Sequence, residues 1–363
     1  MATISEKLQI PKIDFEVKVY FPKRFSALRR FYLGTHIEYI KSICKTQSWS
    51  ASGGRSSATF FKSHDQKYVF KVVKESEFKM FVEFGPNYFD YMTKSFFHNY
   101  PCALVKILGA YVVKISCEEK EEFNTKTYIF VYENLNLGIT PEDEQNTVRF
   151  DLKGSEIHRF VTIPMGDNGP EKVVMQDSNF LYQLMGRPIA LRVTHANLLS
   201  ICVGNDTLCL SKQNIIDYSL LAVIDTHRKK IRFGILDYCQ MYTFDKKIET
   251  QYKTIVNFGG TPTIIPPEPY RLRFQQFVRN AFLGVCTQRE KKRKTNMTSA
   301  ELHKSICEDK EEQSRYINED KKLGNALEDN ATDKNAEKEQ RKSHEGEESG
   351  AKEGQGQNEV QIK

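Results

Sequence analysis

Phe150-Asp151-Leu152-Lys153-Gly154-Ser155 is the stretch on which the reading of the fold turns. By itself it is a strand ending in a glycine turn that exposes one lysine, a pattern with many innocent explanations. Its weight comes from what lies on either side. Downstream, Asn214-Ile215-Ile216-Asp217-Tyr218-Ser219-Leu220-Leu221 and Gly234-Ile235-Leu236-Asp237-Tyr238 each set one aspartate among β-branched and apolar residues. Runs of that kind put a carboxylate at the end of a buried strand. A charge left unpaired there would be neutralised or would destabilise the fold, so Asp217 and Asp237 call for nearby cations or a bound metal. A strand-end or turn position explains either aspartate taken singly.

Upstream, Thr59–Phe61 and Tyr68–Val73 read as antiparallel strands with His64, Asp65 and Gln66 in the turn between them. Lys71 falls inside the second, where the polar face of a half-buried strand is the simplest account of it. Ser52-Gly53-Gly54-Arg55-Ser56-Ser57 comes before it; glycines there let backbone amides approach a phosphate, and they serve an ordinary hairpin equally well. Phe78–Tyr91 carries apolar residues at helical spacing, which predicts an amphipathic helix interrupted or bent near Gly85-Pro86, with Glu77 at its start. Leu104–Val113 and Thr127–Tyr132 predict a second strand pair, after which Glu133-Asn134-Leu135 leads out of the sheet. A glycine turn, a strand lysine and a helix carboxylate, in that order, are the parts with which protein kinases hold ATP. The sequence nevertheless has no His-Arg-Asp loop, no Asp-Phe-Gly segment and no Gly-Lys-Ser/Thr loop of the P-loop enzymes.

The 363 residues suffice for a large core, as one two-lobed domain or two small ones with appendages. No stretch approaches the ~20 apolar residues of a membrane helix, and the start lacks the apolar core of a signal peptide. The eight cysteines show no paired spacing, which speaks against a disulfide framework or zinc site and for a reducing compartment. The net charge of +6 is unevenly spread: 16 basic and 18 acidic residues follow Val285, leaving the preceding part near +8. A basic body suits an anionic ligand or surface. Residues 286–363 are rich in Lys, Glu, Asn, Gln, Ser and Gly and read as a disordered tail, with weak helical tendency over 300–327. A nucleic-acid role would rest on the single basic run Arg289 to Lys294, of a kind common in such tails.

Taken together, Asp151-Leu152-Lys153-Gly154-Ser155, Ile216-Asp217-Tyr218-Ser219-Leu220-Leu221 and Leu236-Asp237-Tyr238 resemble, in that order, the signature segments of the phosphatidylinositol phosphate kinases. The similarity runs from about Trp49 to Phe282. Trp49-Ser50-Ala51-Ser52-Gly53-Gly54, Ala103 to Gly109, Phe244 to Glu249 and Pro262 to Ile265 are most similar to the kinase domain of the phosphatidylinositol 3-phosphate 5-kinases. Arg55, Ser57 and Phe244 depart from that branch, which usually has lysine, glycine and tryptophan there.

The resemblance implies an α+β fold, a two-lobed protein-kinase-like lipid kinase with antiparallel sheets and flanking helices. Residues 1–285 would be the kinase domain, with an N-lobe to about 135 and a C-lobe from about 136, followed by the tail. It implies ATP and magnesium as cofactors. Lys71 would bind the nucleotide phosphates with Glu77 as helix partner and Glu83 in reserve, and Gly53, Gly54 and Ser56 would form the phosphate loop. Backbone groups of Asn134 and Leu135 would hold adenine. Asp217 would be the catalytic aspartate on the inositol hydroxyl, Lys153 would approach the reacting phosphate, and Asp237 would hold magnesium. Lys246, Lys247 and Glu249 would lie on the loop that meets the lipid headgroup, an acidic residue at 249 being similar to the 5-kinases. Lys18, Lys23, Arg24, Arg29 and Arg30 would extend a basic membrane face or form an ordinary charged helix surface. The implied activity is phosphorylation of the 5-hydroxyl of phosphatidylinositol 3-phosphate, with a phosphoinositide and an anionic membrane as partners, in the cytoplasm against endosomal or vacuolar membranes. The 4-phosphate 5-kinases and a non-catalytic phosphoinositide-binding scaffold on the same fold are the alternatives.

Overall fold

A computed structural model describes residues 13–49, 58–117, 124–166, 169–170, 172–242 and 265–286. The phosphate-loop residues Gly53, Gly54 and Ser56, the headgroup-loop residues Lys246, Lys247 and Glu249, and the tail from 287 lie outside the described residues.

The first half builds one six-stranded sheet. Its strands are β1 (Ile13–Val19), β2 (Thr46–Trp49), β3 (Phe60–Ser63), β4 (Tyr68–Val73), β5 (Ile107–Cys117) and β6 (Thr125–Glu133), in spatial order β1-β5-β6-β4-β3-β2 and antiparallel throughout. In β4 Lys71 and Val73 are buried on one face, and Tyr68, an odd number of residues away, is buried on the other, in a cluster with Tyr39, Leu108 and Val131. Helices α1 (Pro22–Tyr32) and α2 (His36–Ile43) lie between β1 and β2; α2 opens with a reciprocal Thr35–Glu38 capping box at 3.3 Å. Arg29 does not join a membrane face: it is 4 % exposed, donates to the Leu108 carbonyl at 2.7 Å and stacks over Tyr39.

Helix α3 (Glu75–Phe97) packs Phe78 and Phe81 against Phe130 of β6. The expected interruption at Gly85-Pro86 is absent: the helix is continuous through both residues. Gly85 lets the Phe21 ring come where a Cβ would sit, 2.8 Å away, and aromatic packing on both sides outweighs the one backbone hydrogen bond that Pro86 cannot make.

The second half builds a four-stranded sheet from β7 (Thr147–Leu152), β8 (Val174–Gln176), β9 (Ser219–Asp225) and β10 (Lys230–Leu236), in order β8-β7-β9-β10. The pairs are antiparallel except β8 with β7, which is parallel. Helices α4 (Asp177–Gln183), α5 (Val193–Lys212) and α6 (Pro267–Ala281) surround Phe150, Leu152, Phe180, Leu210, Tyr218, Leu220, Tyr270 and Phe274, the core of this half.

Residues 103–105 join the two sheets. Ile235 N–H donates to the Ala103 carbonyl at 2.7 Å, Val105 N–H donates to the Ile235 carbonyl at 3.0 Å, and the Tyr238 hydroxyl donates to the Val105 carbonyl. Asp206 of α5 fastens the same segment, accepting from the Ala103 N–H at 2.6 Å and from Tyr91 of α3 at 2.5 Å. Asp206 is fully buried, and burial pushes its carboxyl up to about 6 despite those two donors. The seven described cysteines are all free thiols.

Candidate active site

Lys71 leaves the middle of β4 and ends between two carboxylates. Its Nζ lies 2.9 Å from Glu77 Oε1, in the first turn of α3, and 2.8 Å from Asp237 Oδ1, just past β10. Glu77 is therefore the helix partner, while Glu83 points to solvent. Burial alone would depress the Lys71 ammonium, but the charges of Asp237 and then Glu77 outweigh it and hold its pKa above the ordinary lysine value. The same Lys71 charge holds Asp237 below the usual carboxylate range against the opposing effect of burial. Asp237 is not the sealed carboxylate expected from its apolar neighbours: its side chain is 54 % exposed and opens on a cleft.

Lys153 and Asp217 form a second pair, Nζ to Oδ1 at 2.7 Å. Asp217 immediately precedes the Tyr218-Ser219 entry to β9, and Lys153 follows the last residue of β7, so neighbouring strands carry them to one rim. Both aspartates have left-handed backbone, φ 65° at Asp217 and 60° at Asp237. Asp is one of the non-glycine residues enriched in this region. Gly154 is left-handed as well, at φ 70°, where a Cβ would meet Phe277 at 3.0 Å.

Sequence reasoning missed the support beneath Lys153. Asp177, 0 % exposed at the start of α4, accepts from the Lys153 N–H at 3.0 Å, the Gly154 N–H at 2.7 Å and Arg159 Nε at 2.8 Å. Burial raises the Asp177 carboxyl, and the Arg159 charge works against that rise. Arg159 also donates through Nη2 to the Asp151 carboxylate at 2.9 Å. The available signal was Met175-Gln176-Asp177, an apolar run closed by an acid, which reads as an ordinary helix start.

Lys71, Glu77, Asp151, Lys153, Arg159, Gln176, Asp217 and Asp237 all line one cleft of about 720 Å³. A second cavity of about 290 Å³ is lined by Trp49, Lys62, Asn136, Arg149, Val174 and Leu221, among others. One face of the four-stranded sheet floors both. Gln176, Asp151 and Leu221 sit in one register row across β8, β7 and β9, and Val174 and Arg149 form the next row on that face.

Asn134 and Leu135 line neither cavity, and most of the backbone groups expected to hold adenine are engaged within the chain. Asn134 donates its N–H to the Lys67 carbonyl at 3.0 Å and accepts from the Leu137 N–H at 3.1 Å, while the Leu135 carbonyl accepts from Arg232 at 3.0 Å. Among the described residues the Leu135 N–H alone of these has no partner. Short extended links that leave a sheet satisfy their own polar groups wherever a neighbour allows it.

A lysine shared by a helix carboxylate and a strand-end aspartate, facing a lysine–aspartate pair across one cleft, is the arrangement of a protein-kinase-like phosphotransferase. The chain belongs to the family described as phosphatidylinositol-4-phosphate 5-kinase, whose model matches residues 43–232 and 223–281. It is 36 % identical over 282 residues to 1-phosphatidylinositol-3-phosphate 5-kinase FAB1A of Arabidopsis thaliana, covering 76 % of this chain and 15 % of that protein. It is 31 % identical over 274 residues to 1-phosphatidylinositol 3-phosphate 5-kinase FAB1 of Saccharomyces cerevisiae, covering 74 % and 12 %. With the human 1-phosphatidylinositol 3-phosphate 5-kinase it shares 33 % over 275 residues, covering 75 % and 13 %. The chain thus spans less than a fifth of the length of these curated relatives.

Proposed function

We propose that this chain is an ATP-dependent phosphoinositide kinase that phosphorylates the 5-hydroxyl of phosphatidylinositol 3-phosphate, giving phosphatidylinositol 3,5-bisphosphate. The observation that carries the reading is the convergence of Lys71–Glu77–Asp237 and Lys153–Asp217 on one cleft. In this reading the six-stranded sheet with α3 is the N-lobe, residues 136–285 form the C-lobe, and residues from 286 are a charged tail.

Phosphoryl transfer needs positioning and charge neutralisation more than covalent help. Lys71, fully charged at neutral pH, neutralises the nucleotide's phosphates, and Glu77 fixes where its ammonium points. Asp217 keeps one carboxylate oxygen on Lys153; the other orients the inositol hydroxyl and takes its proton. Lys153, adjacent to that proton transfer, offsets the negative charge that gathers between acceptor and phosphate. The base and sugar of the nucleotide follow the sheet face from Asp151 toward Leu221 and Asn136.

Magnesium fits this donor set. Among the described residues no group of three or more His, Cys, Asp or Glu could cage a metal alone, but Asp237 is ionised, half-exposed and faces the cleft. One such carboxylate, completed by phosphate oxygens and water, is how magnesium is ordinarily held beside a nucleotide. Bound there, the ion would supply charge neutralisation at the transferred phosphate.

The enzyme would work on the cytoplasmic surface of endosomal or vacuolar membranes, with Lys246, Lys247 and Glu249 meeting the headgroup. Among the described residues no helix is long and apolar enough to cross a membrane, in keeping with peripheral attachment. The test is transfer of labelled phosphate from ATP to liposomes carrying the 3-, 4- or 5-monophosphate. Labelling of the 3-phosphate lipid is the expected result. Labelling of the 4-phosphate lipid alone would make the chain a 4-phosphate 5-kinase, and binding of magnesium-ATP with no labelling of any lipid would make it a scaffold.

A further inference from the structure

Both turns that present the Lys153–Asp217 pair contain a left-handed residue, Gly154 at φ 70° and Asp217 at φ 65°, and both lie against α6. Gly154 faces the helix backbone: a Cβ there would stand 3.4 Å from the Arg273 carbonyl and 3.5 Å from Phe274 Cα. One turn nearer the start of the same helix, Tyr270 reaches the other turn. Its hydroxyl donates to the Tyr218 carbonyl at 2.5 Å, and its ring meets the Tyr218 ring edge-on at 4.8 Å.

Asp217 is thereby bracketed. On its upstream side the Ile216 N–H donates to the Gln240 carbonyl at 3.0 Å, and on its downstream side Tyr270 holds the Tyr218 carbonyl. A left-handed aspartate sits above its relaxed backbone energy and persists only where its neighbours are fixed. Tyr270 is a rigid point from which to fix one of them. It is 0 % exposed, stacks on Phe274 one turn further along α6, and carries the Arg273 guanidinium 4.9 Å over its ring. Tyr270 does not line the cleft, so it acts on the reaction only through what it holds.

We infer that Tyr270 is a positioning residue for phosphoryl transfer: through the Tyr218 carbonyl, its hydroxyl holds the Asp217 carboxylate at the angle that serves the acceptor hydroxyl. The inference rests on the lipid-kinase reading and deepens it. Without that hydroxyl the Tyr218 carbonyl, in a residue 0 % exposed, loses its donor, and the turn relaxes toward ordinary backbone. The Asp217 carboxylate then moves off Lys153 and away from the acceptor. The nucleotide, held on the Lys71 and Asp237 side, is not disturbed, so the loss falls on the transfer step. A displacement of about 1 Å at a reacting group can cost up to about 10²-fold in rate.

The experiment compares the unaltered chain with Tyr270→Phe, which removes one oxygen and keeps the ring. The reaction is transfer of labelled phosphate from ATP to liposomes carrying phosphatidylinositol 3-phosphate. In Tyr270→Phe kcat is expected to fall about tenfold or more, with the KM for ATP within twofold of the unaltered chain. Incorporation of 4-aminophenylalanine in place of Tyr270 restores a donor and is expected to restore most of kcat. Incorporation of 4-fluorophenylalanine fills the hydroxyl's space without a proton and should leave kcat as low as in Tyr270→Phe. A role in packing alone would make the amino and fluoro chains alike, and a general loosening of the site would raise the KM for ATP. A kcat for Tyr270→Phe within twofold of the unaltered chain, equal transfer by the amino and fluoro chains, or a loss carried by the KM for ATP overturns the inference alone. Failure of the unaltered chain to label any phosphoinositide overturns the lipid-kinase reading as well. Should Tyr270→Phe not fold, the amino and fluoro chains decide the matter between them, and equal transfer by the two overturns the inference.

Discussion

Lys71 and Lys153 face one cleft but are held by different means. Lys71 hangs between elements distant in the chain: Glu77 from α3 and Asp237 from the rim of the other sheet, 166 residues away. Lys153 is held within the four-stranded sheet, by Asp217 from the adjacent strand and by its own N–H on the buried Asp177. The first arrangement exists only while both sheets and α3 stand in register. The second exists whenever the four-stranded sheet is folded. Geometry on the Lys71 side is thus conditional, and geometry on the Lys153 side is built in.

The largest effect comes from breaking the conditional side at its exposed partner. Asp237→Asn should lower phosphate transfer by about 10³-fold, the scale on which a charge-positioning group acts, while sedimentation with liposomes is unchanged. Retention of even a tenth of the activity would remove Asp237 from the chemistry. The built-in side should respond in stability instead. Asp177→Ala leaves two N–H groups and the Arg159 Nε without their acceptor, while Arg159 keeps the Asp151 carboxylate, a loss of about 1–3 kcal/mol in urea unfolding. A variant that unfolds with the parent would show that Lys153 needs no such foundation.

Asp206 tests the frame between the two sides through pH. Its folded value of about 6 lies above that of an unfolded aspartate, about 3.9, so the folded state keeps its proton between them. Stability from this group is therefore fullest below pH 4 and declines as pH rises to 6, by about 2–3 kcal/mol. Asp206→Asn should remove that decline, as read from urea midpoints at several pH values; an unaltered slope would place the titration elsewhere. The smallest effects distinguish the helix carboxylates. Glu77→Gln should lower kcat about tenfold, because Lys71 keeps Asp237 as its other partner, whereas Glu83→Gln should stay within twofold. Equal losses in both would mean that the helix carboxylate acts through net charge rather than through contact with Lys71.

Sequence reasoning reached the Lys71–Glu77 pair, and named Lys153, Asp217 and Asp237 without pairing Lys153 to Asp217. A lysine inside an alternating strand followed by an acid in the next helix, and an aspartate at the border of an apolar run, are visible without a fold. Family resemblance put them in one cleft. The direct Lys71–Asp237 contact, the Asp177–Arg159 foundation and the parallel pairing of β8 with β7 were not visible, since each joins residues whose own neighbourhoods are ordinary. The break expected at Gly85-Pro86 followed propensity, which the aromatic packing of Phe21 and Phe81 overrides. The adenine contacts expected of Asn134 and Leu135 came from the resemblance alone; the backbone of Asn134 is taken up by Lys67 and Leu137, and neither residue lines the cleft.

The left-handed backbone at Asp217 and Asp237 has a consequence for heredity. Positions of that conformation admit asparagine and glycine at least as readily as aspartate, and an aspartate codon becomes either one by a single base change. The replacements that the fold accepts most easily at the site are thus the ones that erase its charge. A gene for this chain stands one nucleotide from encoding a folded protein without the proposed activity, so lineages in which selection on transfer relaxes should accumulate folded, silent copies bearing Asn or Gly at 217 or 237.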